Sequence, residues 1–172
     1  MGHYRLFVSH AHKDAKIAFA FIAAVEAAMK TEGRILCTSL RPPEYADPNV
    51  EDVSDLLHDH LNQSTCVVGI LTPNSIESAW CLFELGGAWM LAKRTFPLLV
   101  GIKPDKLPAA LKKKKAAREA ACLTEPGEVS KVLADLRVEL DWELKGSAQK
   151  EIEQLVAVVS EFPWEDCDIG LG

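Results

Sequence analysis

Four short apolar runs constrain this chain most. Leu6–Ser9, Ile35–Cys37, Cys66–Leu71 and residues 96–102 are rich in aliphatic and β-branched side chains, and each is nearly unbroken rather than alternating. A strand with one wet face alternates apolar with polar, whereas an unbroken run fits a strand covered on both faces. Helical stretches separate the runs. Residues 14–30 are Ala-rich with apolar positions on every side, and residues 50–61 place Val50, Val53, Leu57 and Leu61 at helical spacing. Residues 72–94 open with Thr72-Pro73, a capping residue and a first-turn proline, and read as one helix. Strand and helix alternating at intervals of about thirty residues imply βαβ crossovers and a parallel sheet. The fold class is therefore α/β.

Downstream the pattern loosens. Residues 103–128 include prolines and a lysine run at 112–115, with room for a short helix at 109–121 before a weak fifth strand around 121–124. Residues 129–144 read as a helix. Residues 147–162 form an amphipathic segment with Ile152, Leu155, Val156 and Val159 on one stripe, which should pack on the domain. Residues 163–172 have no period and read as a tail or linker. The expected division is a domain at 1–146 and a C-terminal amphipathic helix with its tail at 147–172.

Composition removes several classes of function. A chain of 172 residues with 48% hydrophobic and 26% charged residues can bury one core and lies far from the disordered range. The net charge of −6 opposes a general coat for nucleic acid. The lysine run at 112–115 reads as a solvated helix face rather than a phosphate patch. Five cysteines, odd in number and without a C-x-x-C pair, suggest neither a disulfide framework nor a zinc ribbon, and fit a reducing cytosol. The apolar stretch 17–25 is too short to span a bilayer, and the charged Asp14 and Lys16 with a strand-like run before it do not suit a leader. No membrane span is expected, and the expected location is the cytoplasm.

Chemistry concentrates in two places. From residue 78 to residue 92 the only charge is Glu84, one turn from an apolar seam of Phe83, Gly87 and Leu91. A carboxylate in such a segment is exposed at a cleft, paired, or protonated, because burying it uncompensated costs several kcal/mol. It equally suits a narrow solvent face or the cap of a neighbouring loop. Trp80, taken alone, reads as core. Gly86-Gly87 is expensive inside a helix, about 1 kcal/mol per residue relative to Ala, and suggests close approach of another backbone. The second place is the end of the first strand, Ser9-His10-Ala11-His12-Lys13-Asp14-Ala15. Its H-x-H-x-D pattern resembles the start of a dinuclear zinc motif, but Ala15 stands where the last histidine belongs. His58 and His60, two apart on a helix, point in different directions. A metal site is not expected. His10 and His12 read as members of an exposed loop at a strand's carboxyl end, where open parallel sheets bind ligands.

Taken together, these segments resemble a Toll/interleukin receptor (TIR) domain. Leu6-Phe7-Val8-Ser9-His10 with Lys13-Asp14 resembles the family's first-strand box. Leu71-Thr72-Pro73-Asn74-Ser75 followed by Ser78-Ala79-Trp80-Cys81-Leu82-Phe83-Glu84-Leu85 resembles its S-x-W-C-x-x-E-L helix. The resemblance covers about residues 4–144 and implies a flavodoxin-like five-stranded parallel sheet of order 2-1-3-4-5 with helices on both faces. The loops after the first and third strands would then flank one crevice. The resemblance to bacterial NAD+-cleaving members implies an NAD+ glycohydrolase with Glu84 as the catalytic carboxylate, releasing ADP-ribose or a cyclic product, with NAD+ as substrate and no metal or resident cofactor. Ser9, His10, Asp14, Trp80 and Ser39 would bind substrate, Ser39 following the second strand where many relatives carry an acidic residue. Loop 40–49 would gate the site or join subunits. The implied setting is an effector in bacterial immunity activated by self-association, with a sensor domain or partner protein. The alternative in the same family is a non-catalytic adaptor that acts through TIR–TIR contacts.

Overall fold

The computed structural model describes residues 4–37, 53–106 and 120–162. Among the described residues, five strands form one parallel sheet: β1 (Leu6–Ser9), β2 (Ile35–Cys37), β3 (Cys66–Leu71), β4 (Arg94–Leu99) and β5 (Ala121–Cys122). Their order is β2-β1-β3-β4-β5, as the resemblance implied. The first three strands lie on the residues expected of them. The fourth begins two residues before its apolar run and ends at Leu99, just ahead of Gly101 at φ 72°. Its polar start, Arg94-Thr95, is half-buried, and the buried part begins at Phe96. An apolar run reports burial, while a strand is defined by its ladder.

Six helices are described: α1 (Ala15–Ala28), α2 (Val53–Gln63), α3 (Pro73–Glu77), α4 (Ala79–Met90), α5 (Pro126–Leu140) and α6 (Gln149–Ser160). Alternate strand residues meet different helices. Leu6, Val8, Val68, Ile70, Phe96 and Leu98 join a core with α1, α5 and α6, while Phe7, Val67, Leu71 and Leu99 join a second core with Leu61 of α2, Ile76 of α3 and Leu85 and Ala88 of α4. Both faces of the sheet are covered, which is why the runs are unbroken. The stripe of α6 lies on the first core: Ile152, Leu155 and Val159 are buried and Val156 packs against them. The helix ends are crossed by a strap in which Lys30 N–H donates to the Glu143 carbonyl and Lys145 N–H to that of Ala28.

The expected single helix at 72–94 is two helices. Ser78 adopts extended backbone, φ −82° and ψ 109°, ends α3 and caps α4 by accepting from the Cys81 N–H at 3.3 Å. Serine favours such a cap because its hydroxyl satisfies one of the orphan N–H groups of the first turn. The helix expected at 109–121, the lysine run and the tail at 163–172 lie outside the described residues.

Candidate active site

The site is assembled at the carboxyl ends of β1 and β3. Side chains alternate along β1, so Ser9 follows Phe7 onto the α4 side of the sheet. Its register partner on β3 is Gly69. A Cβ on Gly69 would lie 2.7 Å from Leu85 Cδ2, so the bare strand at this point is the socket for Leu85. With Leu85 seated there, its neighbour Glu84 is carried down onto Ser9. The Ser9 hydroxyl donates to Glu84 Oε2. Glu84 is 0% exposed, and its other oxygen, Oε1, is buried with no hydrogen-bond partner in the protein. Burial lifts the Glu84 carboxyl to about 7, while the Ser9 hydrogen bond and the adjacent Trp80 indole pull it back only in part. No lysine or arginine pairs with it among the described ion pairs.

A second carboxylate closes the site from the side. Asp14, also buried, stands at the N-cap position of α1 yet makes no cap bond. It accepts instead from Thr72 Oγ1 at 2.5 Å and from Asn74 Nδ2 at 2.8 Å. The loop after β1 is thereby tied to the start of α3. Thr72 is itself fixed by a reciprocal capping box, accepting from the Ser75 N–H at 3.0 Å while its own N–H donates to Ser75 Oγ at 2.8 Å.

His10 departs from expectation. It is buried rather than exposed, and His12 alone of the pair faces outward. Its Nδ1 lies 3.7 Å from Cys37 Sγ at the end of β2. Burial lowers its pKa, against a backbone hydrogen bond at Val8 and the charge of Asp14. The imidazole is buried at the end of β1, an inner strand flanked by β2 and β3.

Trp80 also departs from its core reading: it is 42% exposed, with its ring centroid 6.1 Å from that of Phe83. The buried side of α4 is Cys81, Glu84, Leu85 and Ala88; of the expected seam, Gly87 and Leu91 flank this side and Phe83 faces outward. Among the described residues, no backbone from another element approaches the glycine pair. Gly87 makes room for the Leu61 side chain at 3.3 Å, and Gly86 faces open space. Cys81, buried beside this carboxylate, is held as a thiol because burial raises its pKa and Glu84 and Asp14 add to the effect over a lowering bond from Ser78. Ser39 and loop 40–49 lie outside the described residues.

The structure thus brings Ser9, Asp14, Trp80 and Glu84 to one end of the sheet, with His10 buried at the same strand end against Cys37. Thr72, Asn74 and Cys37 were not singled out as site residues in the sequence. Thr72 carried a signal as the capping residue before Pro73, and Asn74 only as part of the Leu71–Ser75 motif. Among the described residues, no group of three or more His, Cys, Asp or Glu side chains is arranged to hold a metal ion. No described helix is long and apolar enough to cross a membrane.

Residues 6–133 match the family model described as TIR domain. The chain belongs to the TIR domain family. The uncharacterized protein YddK of Bacillus subtilis (strain 168) is 32% identical over 114 residues, a match that covers 65% of this TIR chain and 42% of YddK. The chain therefore spans less than half the length of that relative. Among solved structures it is similar to the TIR domains of the activated Roq1 resistosome directly recognizing the pathogen effector XopQ. That match has 17% identity, covers 92% of this chain and 85% of the other, and has a TM-score of 0.46. Every described residue of the candidate site falls inside the TIR match, whereas α6 lies beyond it.

Proposed function

We propose that this TIR domain cleaves the bond between nicotinamide and ribose in NAD+, with Glu84 as the catalytic carboxylate. The observation that carries the reading is the Glu84 side chain: wholly buried, unpaired with any described cation, held at Oε2 by Ser9 with the Trp80 indole beside it, and without a geometric hydrogen bond at Oε1. A carboxyl group confined there for packing alone would be expensive, whereas the two hydroxyls of a ribose would supply the missing donors. Departure of nicotinamide breaks the C–N bond, sends its electron pair to the leaving ring and develops positive charge at the ribose carbon. An ionised carboxylate beside that ribose stabilises the charge by preorganised electrostatics. Water then adds to the carbon and releases a proton, giving ADP-ribose; an internal nucleophile in place of water gives a cyclic product. With its carboxyl raised to about 7, Glu84 is held partly protonated at neutral pH. Hydroxyl donors from the ribose would lower the pKa and complete the ionisation on binding.

In this reading Ser9 holds Glu84, and the exposed Trp80 ring lies on the substrate's approach to it. Asp14, through Thr72 and Asn74, keeps the two loops in register. Ser39, His10 and loop 40–49 complete the proposed substrate-binding set. The biological setting that fits is a cytoplasmic effector in bacterial immunity, switched on by self-association under a sensor domain or partner protein.

The test is nicotinamide release from NAD+ by the full chain at high protein concentration, beside Glu84→Ala. Glu84→Ala should lower turnover by about a hundredfold or more, the ordinary effect of removing a group that meets developing charge. Equal turnover in both proteins removes Glu84 as the catalytic carboxylate, and none in either at any concentration leaves the adaptor reading in its place.

A further inference from the structure

Cys37 ends β2 and is 1% exposed. A buried free cysteine behaves in most folds as a small apolar side chain. The surroundings of this one give it a further part.

β1 is paired unequally on its two sides. Among the described pairs, the β2 ladder stops at Val8 with Cys37, whereas the β3 ladder runs one residue further, to Ser9 with Gly69. From Ser9 onward no described backbone pair holds β1 on its β2 side. A side-chain contact takes over there, since Cys37 Sγ lies 3.7 Å from His10 Nδ1. Thiols and imidazoles form weak hydrogen bonds of this kind.

Ser9 and His10 also face opposite sides of the sheet. Val8 and Cys37 belong to the core on the α1 side, and Phe7 and Leu36 to the core on the α4 side. Ser9 follows Phe7 and reaches Glu84, while His10 follows Val8 and reaches Cys37. The peptide that joins them is held from both faces, so a twist of the strand end disturbs both contacts. His10 does not swing free of this arrangement. It is buried and has a backbone hydrogen bond at Val8 besides the thiol, so the place of Cys37 is passed to the backbone at residue 10.

We propose that Cys37 is a positioning residue: by holding the His10 ring it fixes the end of β1, and with it the direction of the Ser9 hydroxyl toward Glu84. The inference rests on the functional reading above only for its effect on turnover, because the carboxyl titrates without substrate. Ser9 provides the largest influence that holds the Glu84 carboxyl down against burial, so the titration of that carboxyl reports whether the hydroxyl is in place. Asp14, His12 and Cys81 are the other titratable groups acting at this strand end, and the variants leave them unchanged.

Three substitutions separate an apolar filler from a positioning thiol. Cys37→Val keeps the volume and loses the polar contact, Cys37→Ser keeps a donor and loses volume, and Ser9→Ala removes the group through which Cys37 acts. The Glu84 titration is followed in the full chain, without NAD+, by carbon NMR of labelled glutamate carboxyls assigned with Glu84→Gln. Cys37→Val should raise the midpoint above about 7 and lower kcat/KM for NAD+ at pH 7 severalfold, whereas Cys37→Ser should keep both close to the parent. In the Ser9→Ala background Cys37→Val should add nothing, since its path to Glu84 is already broken. Thermal melts verify folding, and if Cys37→Val does not fold, Cys37→Ala is compared with Cys37→Ser in its place. A parent-like midpoint without the thiol, a serine variant as shifted as the apolar one, or a shift that persists in full without the Ser9 hydroxyl overturns the proposal. Turnover measured on the same samples keeps the two readings apart: the expected midpoints with no turnover in the parent remove the enzyme and leave the positioning role, and turnover with unshifted midpoints does the reverse.

Discussion

Ser9 at the end of β1 and Glu84 in the middle of α4 are joined by a hydrogen bond that spans 75 positions of sequence. The bond engages one carboxyl oxygen and leaves the other buried and unpartnered. It is the main force that opposes the effect of burial on the Glu84 carboxyl.

Removing that donor should move the carboxyl further from its ordinary value. In Ser9→Ala the Glu84 pKa is expected to rise above about 7, because burial remains and the largest opposing bond is gone. If the anion is the working form, the acid limb of the kcat/KM profile for NAD+ moves to higher pH. Activity at pH 7 then falls severalfold, recovers toward pH 9, and is largely retained in Ser9→Thr. An unshifted limb in Ser9→Ala counts against Glu84 as the titrating group.

Stability should respond to the same group with a definite sign. The folded pKa is raised from 4.5 to about 7, so between those values the folded state holds a proton that the unfolded chain has released. Stability therefore falls as pH rises through this window and reaches its lowest contribution above it. Glu84→Gln removes the penalty, and is expected to stabilise the fold by a few kcal/mol at pH 8 and by little at pH 4. Chemical denaturation at the two pH values measures this difference. A variant equally stable at both, relative to the parent, would show that the buried carboxyl carries no such penalty.

Asp14 is expected to act through position rather than contact with the reacting atoms. Asp14→Ala removes the acceptor of two hydrogen bonds and leaves a buried donor on Thr72 and a half-buried one on Asn74, costing about 1–3 kcal/mol in thermal denaturation. Combined with Thr72→Val, the effects should fall short of additivity by about 1 kcal/mol, since both variants break one shared bond. Strict additivity would mean that the two residues do not cooperate across the loops.

The Gly69 socket gives a packing test of how α4 is oriented. Gly69→Val drives methyl groups into Leu85 and should destabilise the chain by about 1–3 kcal/mol, while lowering turnover through the displaced Glu84. Adding Leu85→Ala should return part of that stability, because the two changes exchange volume across one contact. If the double variant loses the full sum of the single losses, Leu85 is not what fills the socket.

Much of the fold was legible in local pattern. The β1, β2 and β3 ranges coincide with apolar runs, because a strand covered on both faces needs apolar side chains at consecutive positions. The α6 stripe at Ile152, Leu155 and Val159 was legible because one side of that helix is wet, so its period has a direction. Glu84 stood out as one charge in an apolar segment, but its surroundings did not. The break at Ser78 was hidden by apolar residues on both sides of it. The burial of His10 depended on strands that lie far away in sequence.

What the sequence by itself determined is the class of architecture and the identity of the carboxylate, since both rest on residue type and on spacing within single segments. Only the tertiary structure decided which way α4 faces. Most of that helix is apolar around its circumference, so its periodicity contains no inward direction. The direction comes from the pairing of Ser9 with Gly69 on adjacent strands, which leaves a hollow for Leu85 and a hydroxyl for Glu84, and turns Phe83 and Met90 outward.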